Sequence, residues 1–121
     1  MPISNQPKGK IGENIAEQFL LKKGYLFVTR NFQCRSGEID LVFIHDKTLI
    51  FVEVKTRTSA EYGVPQEAVT RWKLRKIVRA GHYLRLKQPQ LPDLMRVDVV
   101  AIILNETTRR AKLEHLISVT G

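Results

Sequence analysis

Cysteine is nearly absent from this chain. Of its 121 residues only Cys34 carries a thiol, so no internal disulfide can form, and a reducing, cytoplasmic setting is expected. A lone cysteine of this kind reads as a partly buried spectator. Long apolar runs are also missing. None approaches the length of a membrane span and the N-terminus lacks a signal peptide's hydrophobic segment, so no membrane partner is expected. No histidine–cysteine set has zinc spacing, and no glycine-rich loop is built to cradle phosphates, which sets aside zinc sites and P-loops. Acidic residues are few beside basic ones, 12 against 20, for a net charge of +8. That excess favours polyanions, chiefly nucleic acid, although acidic lipid or protein surfaces would satisfy the same charge.

What is present fits one domain. Hydrophobic residues make up 43% of the chain, enough for a core without staples, and no repeat, low-complexity tract or internal boundary interrupts it. Residues 1–8, with Pro2 and Pro7, read as a loose lead-in to a single domain over 9–121.

The organising stretch runs from Arg35 to Arg57. Two segments rich in β-branched and aromatic residues flank a turn-like His45-Asp46-Lys47, the pattern of an antiparallel hairpin. Strand alternation puts Glu53 and Lys55 on one face, with Val52 and Val54 on the other. One register brings Asp40, Glu53 and Lys55 together at one end of the sheet. Carboxylates and an ammonium within apolar strands are costly to bury without a reason. Two carboxylates beside a lysine can hold a hard divalent cation and help activate its bound water.

Around this hairpin, a helix is expected over Gly9–Lys23, closed by Gly24, with Ile11, Ile15, Ala16, Phe19 and Leu20 as its apolar face. Glu13 lies at the edge of that face, and its spacing alone favours a solvated acid near the helix start, stabilised by the helix dipole. Tyr25–Gln33 reads as the first strand. Glu38 is either a reserve ligand or a loop-ordering acid paired with Arg35 or Arg57. Residues 58–66 form a connector or a flap, in which Tyr62 either stacks on a base or packs on Pro65. A second helix is expected from Gln66 to Leu86, with Val69, Lys73, Ile77, Ala80 and Leu84 on its inner stripe. Lys73 is the misfit there: it either snorkels to the rim or reaches the active-site edge. Arg71, Arg75, Arg79 and His82 gather on the opposite face, either solvated or in contact with phosphates. Trp72 and Tyr83 read as rim core. Arg96–Leu104 is expected as a central strand whose buried Asp98 pairs with Arg96 or Lys73. Lys112–Val119 reads as an edge strand. His45 and His115 read as surface residues.

Asp40, twelve intervening residues, then Glu53-Val54-Lys55 resembles the core of the PD-(D/E)XK nuclease superfamily. Within it, the chain looks like the YraN-type bacterial family, which is similar to archaeal Holliday-junction resolvases. The resemblance covers residues 9–103. It rests on Gly12-Glu13, Ala16, Gly24-Tyr25, Asn31, Gly37-Glu38-Ile39-Asp40, Phe51-Val52-Glu53-Val54-Lys55, Gly63, Pro65, Lys73, Tyr83-Leu84 and Arg96-Val97-Asp98. Ile39 stands where the superfamily's name has proline, a position without chemistry.

The resemblance implies an α/β fold with a restriction-endonuclease-like core: helix, three-stranded meander, helix and strand. A mixed sheet and an extra C-terminal edge strand complete it. It also implies metal-dependent hydrolysis of DNA phosphodiesters, with branched or junction DNA among the substrates and DNA favoured over RNA. Asp40, Glu53 and the Val54 carbonyl would hold Mg²⁺ or Mn²⁺. Glu13, set over the metal site by the resemblance, would complete the coordination through water, and Lys55 would orient the attacking water. Lys73, Arg71, Arg75, Arg79 and Arg57 are the candidate phosphate contacts, and a homodimer is left open. The rival reading is a non-catalytic module that binds nucleic acid or a partner on the same fold. A purely structural adaptor leaves the basic second helix unexplained.

Overall fold

A computed structural model describes residues 7–58 and 69–119. The elements follow in the order α1 (Lys8–Lys22), β1 (Leu26–Cys34), β2 (Gly37–His45), β3 (Thr48–Thr58), α2 (Arg71–Lys87), β4 (Leu94–Asn105) and β5 (Arg110–Leu116). The five strands form one mixed sheet in sequence order. β1, β2 and β3 are an antiparallel meander, β4 runs parallel to β3, and β5 pairs antiparallel with β4. A parallel neighbour needs a crossover, and the β3–β4 connection carries α2.

The helices cover opposite faces of the sheet. Ile11, Ile15, Ala16 and Leu20 of α1 pack on Leu41, Phe43, Ile50, Val52, Val100 and Ile102. Ile77, Ala80 and Leu84 of α2 pack on Ile39, Val42, Leu49, Phe51 and Val97. The alternation in β3 is therefore regular: even positions face α1 and odd positions face α2. By the same phase Glu53 and Lys55 belong to the α2 side.

Local chemistry explains the ends of the elements. Asp46 and Lys47 both have positive φ, 49° and 61°, between the paired His45 and Thr48, which makes a two-residue hairpin turn of the twist-matched kind. Gly24, at φ 90°, ends α1 in the left-handed conformation that glycine adopts without strain. Thr70 has extended backbone and its hydroxyl accepts the Lys73 N–H at 3.1 Å, so α2 starts at Arg71 instead of at Gln66. Val69 thus precedes the helix, and residues 66–68 lie outside the described residues, as do the Tyr62 and flap readings for the loop. Gly81 joins the inner stripe of α2, because a Cβ there would run into the Phe51 ring.

Other bounds shift by a few residues. α1 already includes Lys8, so only residues 1–6 of the expected lead-in lie outside the described residues. β4 is longer than expected at both ends and lies inside the sheet, between β3 and β5. β5 begins earlier and stops at Leu116, because Ser118 turns left-handed (φ 58°) and sends its N–H to Asp98.

Candidate active site

The β2–β3 ladder closes at the His45–Thr48 turn and runs only to Leu41↔Val52. Beyond that point the Asp40 side chain takes over from the main chain: its Oδ2 accepts the Val54 N–H at 2.8 Å. Ile39 packs against the α2 core although Leu41, two residues on, belongs to the α1 core, so β2 turns over at Asp40. Beside this departure a cleft of about 400 Å³ opens between the sheet and the first turns of α2.

Asp40 and Glu53 both line the cleft. Glu53 is 7% exposed, and the Lys73 ammonium, from the first turn of α2, lies 3.1 Å from its Oε1. Of the two placements open to Lys73, the structure thus shows the one at the site's edge. Burial, and secondarily the neighbouring Glu53 carboxylate, push Asp40 up from the ordinary carboxylate range to about 7, against the opposing hydrogen bond from Val54. Lys55 is shifted down, first by burial and then by Arg57 and Lys73, with Glu53 and Asp40 pulling the other way. Arg57 and Lys55 therefore stand in one electrostatic neighbourhood with the two acids.

Glu13 is held elsewhere. Arg30 Nη2 reaches its Oε1 at 3.2 Å and Asn31 Nδ2 donates to both oxygens at 3.3 Å, while Arg30 also bonds Glu17 and Asn14. Glu13 still adds to the rise of the Asp40 pKa, so its charge is felt at the site. Among the described residues no three acidic, histidine or cysteine side chains converge as a ready ligand set. Glu38 borders the cleft too, but its partner is Gln33 Nε2 at 3.0 Å, not Arg35 or Arg57.

Arg75 and Arg79 are exposed on α2, one turn apart, and Arg71 at the helix start extends the same row. Trp72 and Tyr83 are not rim core. Trp72 is 64% exposed and lines the cleft, with Lys76 Nζ 4.2 Å from its ring centroid. Tyr83 is exposed as well, tilted against Phe32. The signal for Trp72 was its place one residue before Lys73, but helical spacing alone cannot tell a rim from a cleft mouth.

On the opposite face of the sheet lies a second charged cluster. Asp98, level with Val52 in the β3–β4 ladder, is fully buried. Arg96 grips it with Nε and Nη2 at 2.9 and 3.1 Å, the Ser118 N–H donates at 2.9 Å and His115 Nε2 lies at 2.8 Å. Burial raises the Asp98 pKa, but the bonds from His115, Arg96 and Ser118 outweigh it and hold the carboxyl below its ordinary range. Asp98 thus pairs with Arg96, as expected, and Lys73 is on the other face. His115 is not a surface residue: its side chain is 5% exposed and its Nδ1 lies 2.9 Å from Lys23 Nζ. An ammonium only donates, so Nδ1 accepts and Nε2 carries the proton given to Asp98. His45 is likewise engaged, stacked on Tyr25 with centroids 4.3 Å apart, and Tyr25 receives a bond from Arg96 at 3.0 Å.

The family described as "Uncharacterised protein family UPF0102" matches residues 12–102. A UPF0102 protein of Geobacter metallireducens is 43% identical over 116 residues, covering 96% of this chain and 93% of the relative. One from Caldanaerobacter subterraneus is 38% identical over 117 residues, covering 96% of each, and one from Chlorobium phaeobacteroides is 45% identical over 113, covering 89% of each. This is the family to which the YraN-type resemblance pointed. With most of its length matched and relatives aligned almost end to end, this chain belongs to the UPF0102 family.

Proposed function

We propose that this chain is a divalent-metal-dependent endonuclease of the PD-(D/E)XK kind, acting on DNA. The observation that carries the reading is the pairing of Asp40 and Glu53 in one cleft, with Asp40 forced up to about 7. Two carboxylates held this close repel when both are ionised, and a dication between them would relieve that repulsion. Oxygen donors suit Mg²⁺ or Mn²⁺, and a site with two carboxylates leaves positions for water and a phosphate, as magnesium sites usually do. The Val54 carbonyl is the proposed main-chain ligand and Glu13, once released from Arg30 and Asn31, the proposed water-mediated one.

A bound dication would polarise the phosphoryl oxygen and lower the pKa of its water. The chain's own groups do the rest. Lys55, already shifted down, can hold the attacking water by its ammonium and take up a proton when momentarily neutral. Lys73 meets Glu53 now and can swing to a phosphate oxygen once Glu53 turns to a cation. Arg57, Arg71, Arg75 and Arg79 supply the backbone contacts of a substrate strand.

Calorimetric titration of Mn²⁺ should reveal a site that weakens sharply in Asp40→Asn and Glu53→Gln. A cleavage screen over branched and linear DNA should show activity lost in both. Unchanged metal affinity in both folded variants would sink the reading. The rival, a non-catalytic binding module, has one observation in its favour: the Lys73–Glu53 pair neutralises Glu53 without a metal. It prevails if the protein binds DNA well and cleaves none of these substrates.

A further inference from the structure

We propose that Trp72 is a stacking platform for an unpaired nucleobase beside the candidate active site, so that the strand entering the cleft is single-stranded or frayed DNA. The substrate class rests on the nuclease reading, but the platform rests on its own observations. Tryptophan is on average a well-buried residue, yet this one, in the first turn of α2, is 64% exposed. It lines the same cleft as Asp40 and Glu53. The Lys76 ammonium lies over the ring at 4.2 Å, a cation–π contact that steadies the indole, and Lys76 lines the cleft together with Lys73.

An exposed aromatic surface in a cleft that two lysines also line complements a nucleotide, with the base on the ring and the phosphate on the cations. The cleft volume of about 400 Å³ is at the small end for ligand sites. A volume of that order accommodates a single nucleotide beside the ring. A base can lie on Trp72 only after leaving its own stack, which costs least in a strand that is already unpaired. Tyr83 does not compete for the role, because it sits beside Phe32, away from the cleft.

Trp72 is the only tryptophan in the chain, so emission excited at the red edge of the indole band, where the three tyrosines do not absorb, reports this ring alone. In EDTA, a single-stranded oligothymidylate should quench that emission, whereas an abasic strand of equal length and charge, and a blunt duplex, should leave it nearly unchanged. By anisotropy of the labelled single strand, Trp72→Ala should lose affinity by about ten-fold and Trp72→Phe by about three-fold or less, the scale of one stacked base. Equal quenching by the abasic strand would mean that the ring senses only nearby phosphate, and would overturn the proposal. Equal quenching by the duplex, or unchanged affinity in Trp72→Ala, would overturn it too. These measurements need no metal. Base-dependent quenching without any Mn²⁺-dependent cleavage would keep the platform and remove the nuclease; Asp40-dependent cleavage without base-dependent quenching would do the reverse.

Discussion

Two aspartates on opposite faces of one sheet show how environment assigns opposite properties to the same side chain. Asp98 is held below its ordinary range by Arg96, His115 and Ser118, so its stabilisation is present above the unfolded carboxylate range and is lost as pH falls through its lowered pKa. Removing it strands the Arg96 charge, and Asp98→Ala should cost roughly 3–5 kcal/mol in urea denaturation at pH 7. Asp40 is the reverse case. With its folded pKa raised to about 7, its contribution is full below the ordinary range near 4 and is lost as pH rises through about 7. That rise is worth at most ~4 kcal/mol, and less after solvent relaxation. In EDTA, Asp40→Asn should therefore be more stable than the parent protein at pH 8, by about 2 kcal/mol, and nearly equal to it at pH 4. Added Mn²⁺ should raise the melting temperature of the parent at pH 8 and leave that of Asp40→Asn unmoved. A variant that is less stable at both pH values would show that Asp40 acts as a structural carboxylate.

At the scale of elements, α2 is the part that assembles the site, and two small features fix its position. Thr70 caps its N-terminus just ahead of Lys73, and Thr70→Ala should lose about 1 kcal/mol, read as a lower urea midpoint. Gly81 lets the helix lie directly on the Phe51 ring, two residues from Glu53 on the same face of β3. Gly81→Ala should cost about 1–3 kcal/mol through overpacking and should also weaken Mn²⁺ binding by shifting the cleft wall against the Glu53 carboxylate. A destabilised Gly81→Ala protein with unchanged metal affinity would show that the cleft belongs to the sheet alone. The sequence carried the elements themselves plainly, because period and punctuation agree: Gly24 closes α1, and the β2–β3 turn separates two apolar runs. It carried the Asp40–Glu53 convergence through strand phase. The partners of side chains were less legible. His115 and Lys23 are 92 positions apart, and only the fold makes them neighbours. Trp72 and Tyr83 have the spacing of a rim, and their exposure depends on how far α2 stands from the sheet.

Taken whole, the molecule buries several of its few acids and leaves much of its basic charge outside. Glu53 and Asp98 are buried and Asp40 is half-buried, while Arg75 and Arg79 stand exposed on α2. Binding to DNA should therefore fall steeply with salt, and Arg75→Ala should flatten the log–log slope by roughly one ion. An unchanged slope in Arg71→Ala, Arg75→Ala and Arg79→Ala would return that face to plain solvation. The unzipped end of the β2–β3 ladder gives the whole chain one more property. Because the Val54 amide donates to the side-chain carboxylate of Asp40, its proton is wired to the charge of the cleft. A single backbone resonance should thus drift as Asp40 titrates, and jump when a ligand takes hold of that carboxylate. The fold has placed a reporter inside its own site, one that needs no label beyond nitrogen-15.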